Sequence, residues 1–236
     1  IWQGAVDEGG REYRSIVALA QLQLGGVGGD RDVDAALANL QLAVEAFPGY
    51  GDGAASAERM LSGLHGMEGR DDEAMRWLEE WTRWNAGEYD ARLTVAAWHV
   101  ENGRDEDAAR LYAEANEVDM FRRDLHIAWS EALQRLERYE EALREIRVAL
   151  AVPPELDPDH IVSTGPPETL PPGIDPSAIP PALLGQIPEE MLRPTPLTDN
   201  ERADLYDAAA TCADAIGDAE AAAEARALAE ELRSRR

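Results

Sequence analysis

Lysine is absent from this sequence: all 22 basic residues are arginine, set against 47 acidic ones. The bland reading is a GC-rich coding sequence, and adaptation to salt is the second, because it favours acidic surfaces. The net charge of −25 argues against phosphate recognition, which needs clustered cations. Nucleic acid and anionic membrane are therefore not expected partners, and a basic protein surface is the natural complement. A single cysteine, Cys212, excludes an internal disulfide and any cysteine-cluster metal site. No apolar run approaches the ~18 residues of a membrane-spanning helix, and no signal-peptide pattern is present. Aromatics are only 6% of the chain. The apolar content is mostly Ala and Leu, which cost least in a helix. Proline is nearly missing outside one stretch, with 13 of 14 lying between Pro153 and Pro196.

What is there repeats. The runs Asp71-Asp72-Glu73-Ala74, Asp105-Glu106-Asp107-Ala108 and Tyr139-Glu140-Glu141-Ala142 place their alanines 34 residues apart both times. Gly69, Gly103 and Glu137 keep this register, as do the apolar columns Leu61, Val95, Trp129 and Leu78, Tyr112, Ile146. Each unit holds two helical patterns, predicted at 55–68 with 72–85, 89–102 with 105–117, and 123–137 with 139–152. In the last of these, Ala142, Leu143, Ile146, Ala149 and Leu150 have the spacing of a buried helical face. The small residues let paired helices approach closely.

This register resembles the tetratricopeptide repeat family. Its pattern has a small residue opening the second helix, another one to two turns on, and proline at the end. Ala142, Ala149 and Pro154 match all three places. Ala108 and Ala115 match two, with Met120 at the proline place, and Ala74 matches one, with Trp81 at the second. Weaker flanking units are expected at 11–25 with 33–47, where Ala36, Ala43 and Pro48 fit, and at 199–216 with 218–233. In the latter Asp199 reads as the N-cap and Gly217-Asp218 as the turn. The expected fold is all-α: an α-α superhelix, a TPR-like solenoid of about five helical hairpins, with a long Pro-rich insertion before the last. Residues 1–152 would carry the repeats (about 11–47, 55–85, 89–117 and 123–152), and 199–236 a C-terminal capping hairpin. Residues 153–198 would be either an extended linker or a strap making an intramolecular contact with the repeats.

No zinc-protease helix motif, phosphate-binding loop or nucleophile elbow occurs, so no catalytic residue, cofactor or metal is expected. Gly25-Gly26-Val27-Gly28-Gly29 reads as a flexible turn. His65 and His99 lie one period apart and His126 follows. Stacked histidines can ligate zinc, but no carboxylate or thiol stands at ligand spacing, and these are expected to be half-buried between helices. Trp77, Trp81 and Trp84 share one helical face, read first as core and second as an exposed patch.

The family resemblance implies that first helices line a concave, partner-binding face. By register the lining residues would include Arg14, Arg59, Leu93, Ala97, Ile127, Glu131 and Gln134. The family's Lys and Asn clamp for a chaperone carboxylate has no match here, where Arg59, Gly63, Leu93, Ala97, Ile127 and Glu131 fill its places. The resemblance implies a non-catalytic scaffold for a peptide or protein segment, and the mix of residues at these places suggests an extended peptide with apolar anchors and an acidic end near Arg14 and Arg59. Two other readings stand beside it. Since the sequence begins at Ile1, it could be the repeat arm of a larger enzyme, such as a bacterial peptidase, with its catalytic domain upstream. It could also be an oligomerisation module.

Overall fold

The structure, a computed structural model, describes residues 13–26, 30–50, 56–152 and 197–235. Among the described residues all regular structure is helical: α1 Tyr13–Leu24, α2 Val33–Ala46, α3 Ala57–Met67, α4 Asp71–Trp84, α5 Tyr89–Glu101, α6 Asp105–Val118, α7 Arg123–Arg135, α8 Tyr139–Ala151, α9 Asp199–Ala215 and α10 Ala219–Ser234. The linker-or-strap expectation for 153–198 falls almost wholly outside the described residues. The chain divides into two compact units, Ile1–Trp98 and His99–Arg236.

One turn is reused throughout. At the end of α3, Arg70 N–H donates to the His65 carbonyl (2.9 Å) and Gly69 N–H to Gly66 (3.1 Å). The same pair recurs after α5 (Arg104 to His99, Gly103 to Val100), after α7 (Arg138 to Leu133, Glu137 to Gln134) and after α9 (Asp218 to Ala213, Gly217 to Asp214). This is the Schellman arrangement, which satisfies the last carbonyls of a helix by placing one residue at positive φ. That residue is Gly69, Gly103, Glu137 or Gly217, with φ between 59° and 80°. Glu137 and Gly217 lie 80 residues apart, one 34-residue period plus 46. The final hairpin is thus one more repeat, set back in register by an insertion of that length.

In the first unit, α1, α2 and α3 share a core built on Ile16, Ala20, Ala36, Leu40, Ala43, Ala57 and Leu61. The Ala57 N–H at the start of α3 donates to the buried Tyr13 hydroxyl at 2.7 Å, tying it to α1. Asp32 and Ser56 cap α2 and α3 through their side chains. The C-terminal carbonyls of α4 find a donor in Arg92 of α5, whose guanidinium reaches Thr82 O (2.8 Å), Asn85 O (3.1 Å) and Ala86 O (2.9 Å). The tryptophan face of α4 divides. Trp81 is 3% exposed, Trp77 packs partly buried on the core, and Trp84 is 56% exposed. A Cβ on Gly49 would lie only 2.4 Å from the Trp84 ring, so the indole rests on glycine backbone.

In the second unit, Leu133, Ala142, Ile146 and Ala149 of α7 and α8 form one core with Leu205, Ala209, Cys212 and Ala213 of α9 and Ala222 of α10. The last hairpin therefore stacks directly against α8. Arg123 opens α7 and closes α8, donating to Ala149 O (3.2 Å) and to Val152 O. The sequence reading of Asp199 as N-cap is corrected. Thr198 caps α9 in a capping box with Glu201, and Asp199 is the first helical residue.

Candidate functional site

The neighbouring first helices α7 and α9 leave a groove between them. Ile127, Ser130, Glu131 and Gln134 face it from α7, and Glu201, Asp204, Leu205 and Ala208 from α9, with Leu197 at one end. Both sets follow the i, i+3, i+4, i+7 spacing that gathers side chains on one face. The cavity measures about 280 Å³. Ile127, Leu197, Leu205 and Ala208 make its surface apolar, and three carboxylates edge it.

Two of the carboxylates are engaged. Glu201 accepts from the Thr198 N–H and hydroxyl, each at 2.8 Å. Asp204 accepts from Arg233 of α10 at 2.8 Å, and Arg233 also pairs with Asp207 at 2.7 Å. Glu131 is exposed and pairs with no cation among the described residues. Gln134 is turned back onto its own helix, donating to Ser130 O at 3.3 Å.

Three residues read from the sequence, Ile127, Glu131 and Gln134, are thus brought together. Arg14, Arg59, Leu93 and Ala97 lie in the first unit. Arg14 and Ala97 are exposed and Leu93 half-buried, while Arg59 lies over the Trp81 ring. The α9 side of the groove was missed, because the last hairpin was read as a terminal cap. The signal was present: Glu137 to Gly217 and Ala142 to Ala222 share the 80-residue offset.

The three histidines of the first helices are buried rather than half-buried. Among the described residues neither ring nitrogen of His65 has a hydrogen-bond partner. Burial, then Arg70, lowers its pKa and keeps it neutral. His126 faces two acceptors: Glu145 lies 2.8 Å from Nδ1 and the Met120 carbonyl 3.0 Å from Nε2. Burial opposes its charge, but the hydrogen bonds to Glu145 and Met120, with the Glu145 and Asp124 charges, outweigh it and raise the pKa. His99 stands 3.9 Å from Asp107. Among the described residues no cluster of three His, Cys, Asp or Glu side chains could hold a metal, and no helix is long and apolar enough to cross a membrane.

No family model matches the sequence, and comparison with curated proteins finds no match. Solved structures do match. A structure of MamA (AMB-1) superposes with a TM-score of 0.51 at 15% identity, covering 95% of this chain and 91% of that one. YrrB, described as a TPR protein with an unusual peptide-binding site, gives 0.47 at 16% identity, covering 99% and 93%. At such identities the likeness is one of fold. The likeness to MamA, the 34-residue register and the recurring Schellman turn together give a TPR-like helical-repeat fold.

Proposed function

We propose that the chain is a non-catalytic scaffold for protein interaction, and that the α7–α9 groove takes an extended peptide carrying an apolar anchor beside a cationic side chain. The observation that carries this is the Glu131 carboxylate, unpaired among the described residues, at the edge of an apolar surface made by Ile127, Leu197 and Leu205. A groove of this kind gives affinity through the buried apolar contact and selectivity through charge. The −25 net charge of the chain supports the same choice by drawing cationic partners in at low salt. Arg59, a place expected to receive an acidic end, already has its charge against the face of Trp81.

The test is fluorescence anisotropy of the full chain with two labelled peptides, one alternating Leu and Arg, the other Leu and Glu. The arginine peptide should bind, with affinity falling as salt rises, and Glu131→Gln should weaken it about threefold, as loss of a rim charge does. Equal binding of both peptides would remove the charge selectivity. Absence of binding by either would remove the groove.

A further inference from the structure

A second and larger cavity, about 520 Å³, shares no lining residue with the groove. It lies where the C-terminal end of α6 and the α6–α7 turn meet the outer face of α8. Its rim exposes large apolar side chains: Met120 is 59% exposed, Phe121 46% and Val148 38%. Clustered about one concavity of ligand-site size, such side chains mark a binding surface rather than scattered surface apolars.

The polar groups of the cavity separate into a satisfied pair and an unsatisfied one. His126 and Glu145 meet at 2.8 Å, and the second imidazole nitrogen faces the Met120 carbonyl. Both ring nitrogens face acceptors, an arrangement that favours the imidazolium form and so offsets the Glu145 charge. Asn116 and Arg147 remain. The Asn116 Oδ1 is buried and accepts no hydrogen bond from the described residues, and a buried acceptor left unpaired is costly until a donor arrives. Arg147 lines the cavity and has no anion partner among the described residues. Arg147 is thus the one cationic side chain of this apolar lining that no carboxylate of the lining offsets.

We propose that this cavity is a second docking site, taking a short segment of a partner protein in which a large aliphatic side chain stands next to Asp or Glu. The aliphatic group fills the space between Phe121 and Val148. The acidic group pairs with Arg147, and a backbone N–H of the segment donates to Asn116. The complement is opposite in charge to that of the α7–α9 groove, so the two sites select different segments.

The full chain, labelled with ¹⁵N, is titrated with the probe peptide acetyl-Gly-Ser-Ala-Leu-Asp-Ala-Ser-Gly-amide and followed by NMR. Saturable shifts are expected at residues 116–121 and 145–152. Replacing Asp by Lys in the probe, or Arg147→Glu in the protein, should each weaken binding about tenfold. Glu131→Gln should leave it unchanged. Arg147 is exposed, and an unaltered circular dichroism spectrum confirms that the variant folds. Shifts confined to the groove, or undiminished binding by the Arg147→Glu chain, would overturn the proposal. So would shifts that appear only when Leu156, Ile174 and Ile187 are replaced by Ser, because the chain's own segment would then be the occupant.

Discussion

Arg59 lies with its guanidinium carbon 5.0 Å from the centroid of the Trp81 ring. Trp81 stands where the repeat pattern has a small residue, yet it is buried. The indole supplies area that alanine would not, and the arginine of the preceding helix covers its face. Trp81→Ala should cost about 3–5 kcal/mol, as deletion of a buried aromatic does. Arg59→Ala should cost about 0.5–1 kcal/mol. Urea denaturation of both variants checks this, and equal losses would mean that the tryptophan is not core.

Glu137 is the one non-glycine residue at positive φ among the described residues. Glu137→Gly should stabilise the chain by about 1 kcal/mol, because a side chain is strained in the left-handed region. Gly103→Ala should do the reverse by a similar amount. A Cβ on Gly103 meets no atom within 4 Å, so that loss would report backbone conformation alone. Midpoints moving the same way in both variants would contradict the shared turn.

Ala142 and Ala222 are both fully buried and hold equivalent places in their hairpins. Enlarging either to Leu should overpack its hairpin at a cost of about 1–3 kcal/mol. Thermal melts should show the two variants losing comparable stability. An unchanged midpoint for Ala222→Leu would remove the last hairpin from the repeat series.

The pKa of His126 is raised above its ordinary value. The protonated folded form is therefore favoured, and its contribution is full below about pH 6.5, the unfolded value. It is lost as pH rises through the folded pKa. His65, whose pKa is lowered, acts oppositely: its contribution is present above about pH 6.5 and fades as pH falls through the folded value. The difference in stability between the parent chain and His126→Gln, measured from pH 6 to 9, should shrink as pH rises. A constant difference would show that folding does not shift the His126 pKa.

Much of the fold was legible in the sequence because a repeat imposes the same local demands every 34 residues. Ala74, Ala108 and Ala142 mark where helices approach, and Gly69 and Gly103 mark where a helix must end. The cap of α9 was misplaced by one residue, because Thr198 and Asp199 are both good caps. Only the reciprocal Thr198–Glu201 hydrogen bonds distinguish them. The α7 half of the groove followed from register. Its α9 half did not, because 46 extra residues hide the offset that makes Leu205 and Asp204 neighbours of Ile127 and Glu131.

Helical periodicity, alanine spacing and turn chemistry are short-range properties, so the sequence alone determined the hairpins, their order and their turns. Pairing across a long insertion is not short-range. Only the tertiary structure decided that α9 packs on α8, since that choice depends on burying Cys212, Ala209 and Leu205 against Ile146 and Leu143. The same holds for charge: composition showed an acidic chain. Folding decided that, among the described residues, Glu131 meets no cation at the edge of an apolar groove and Arg147 no anion beside Phe121 and Val148.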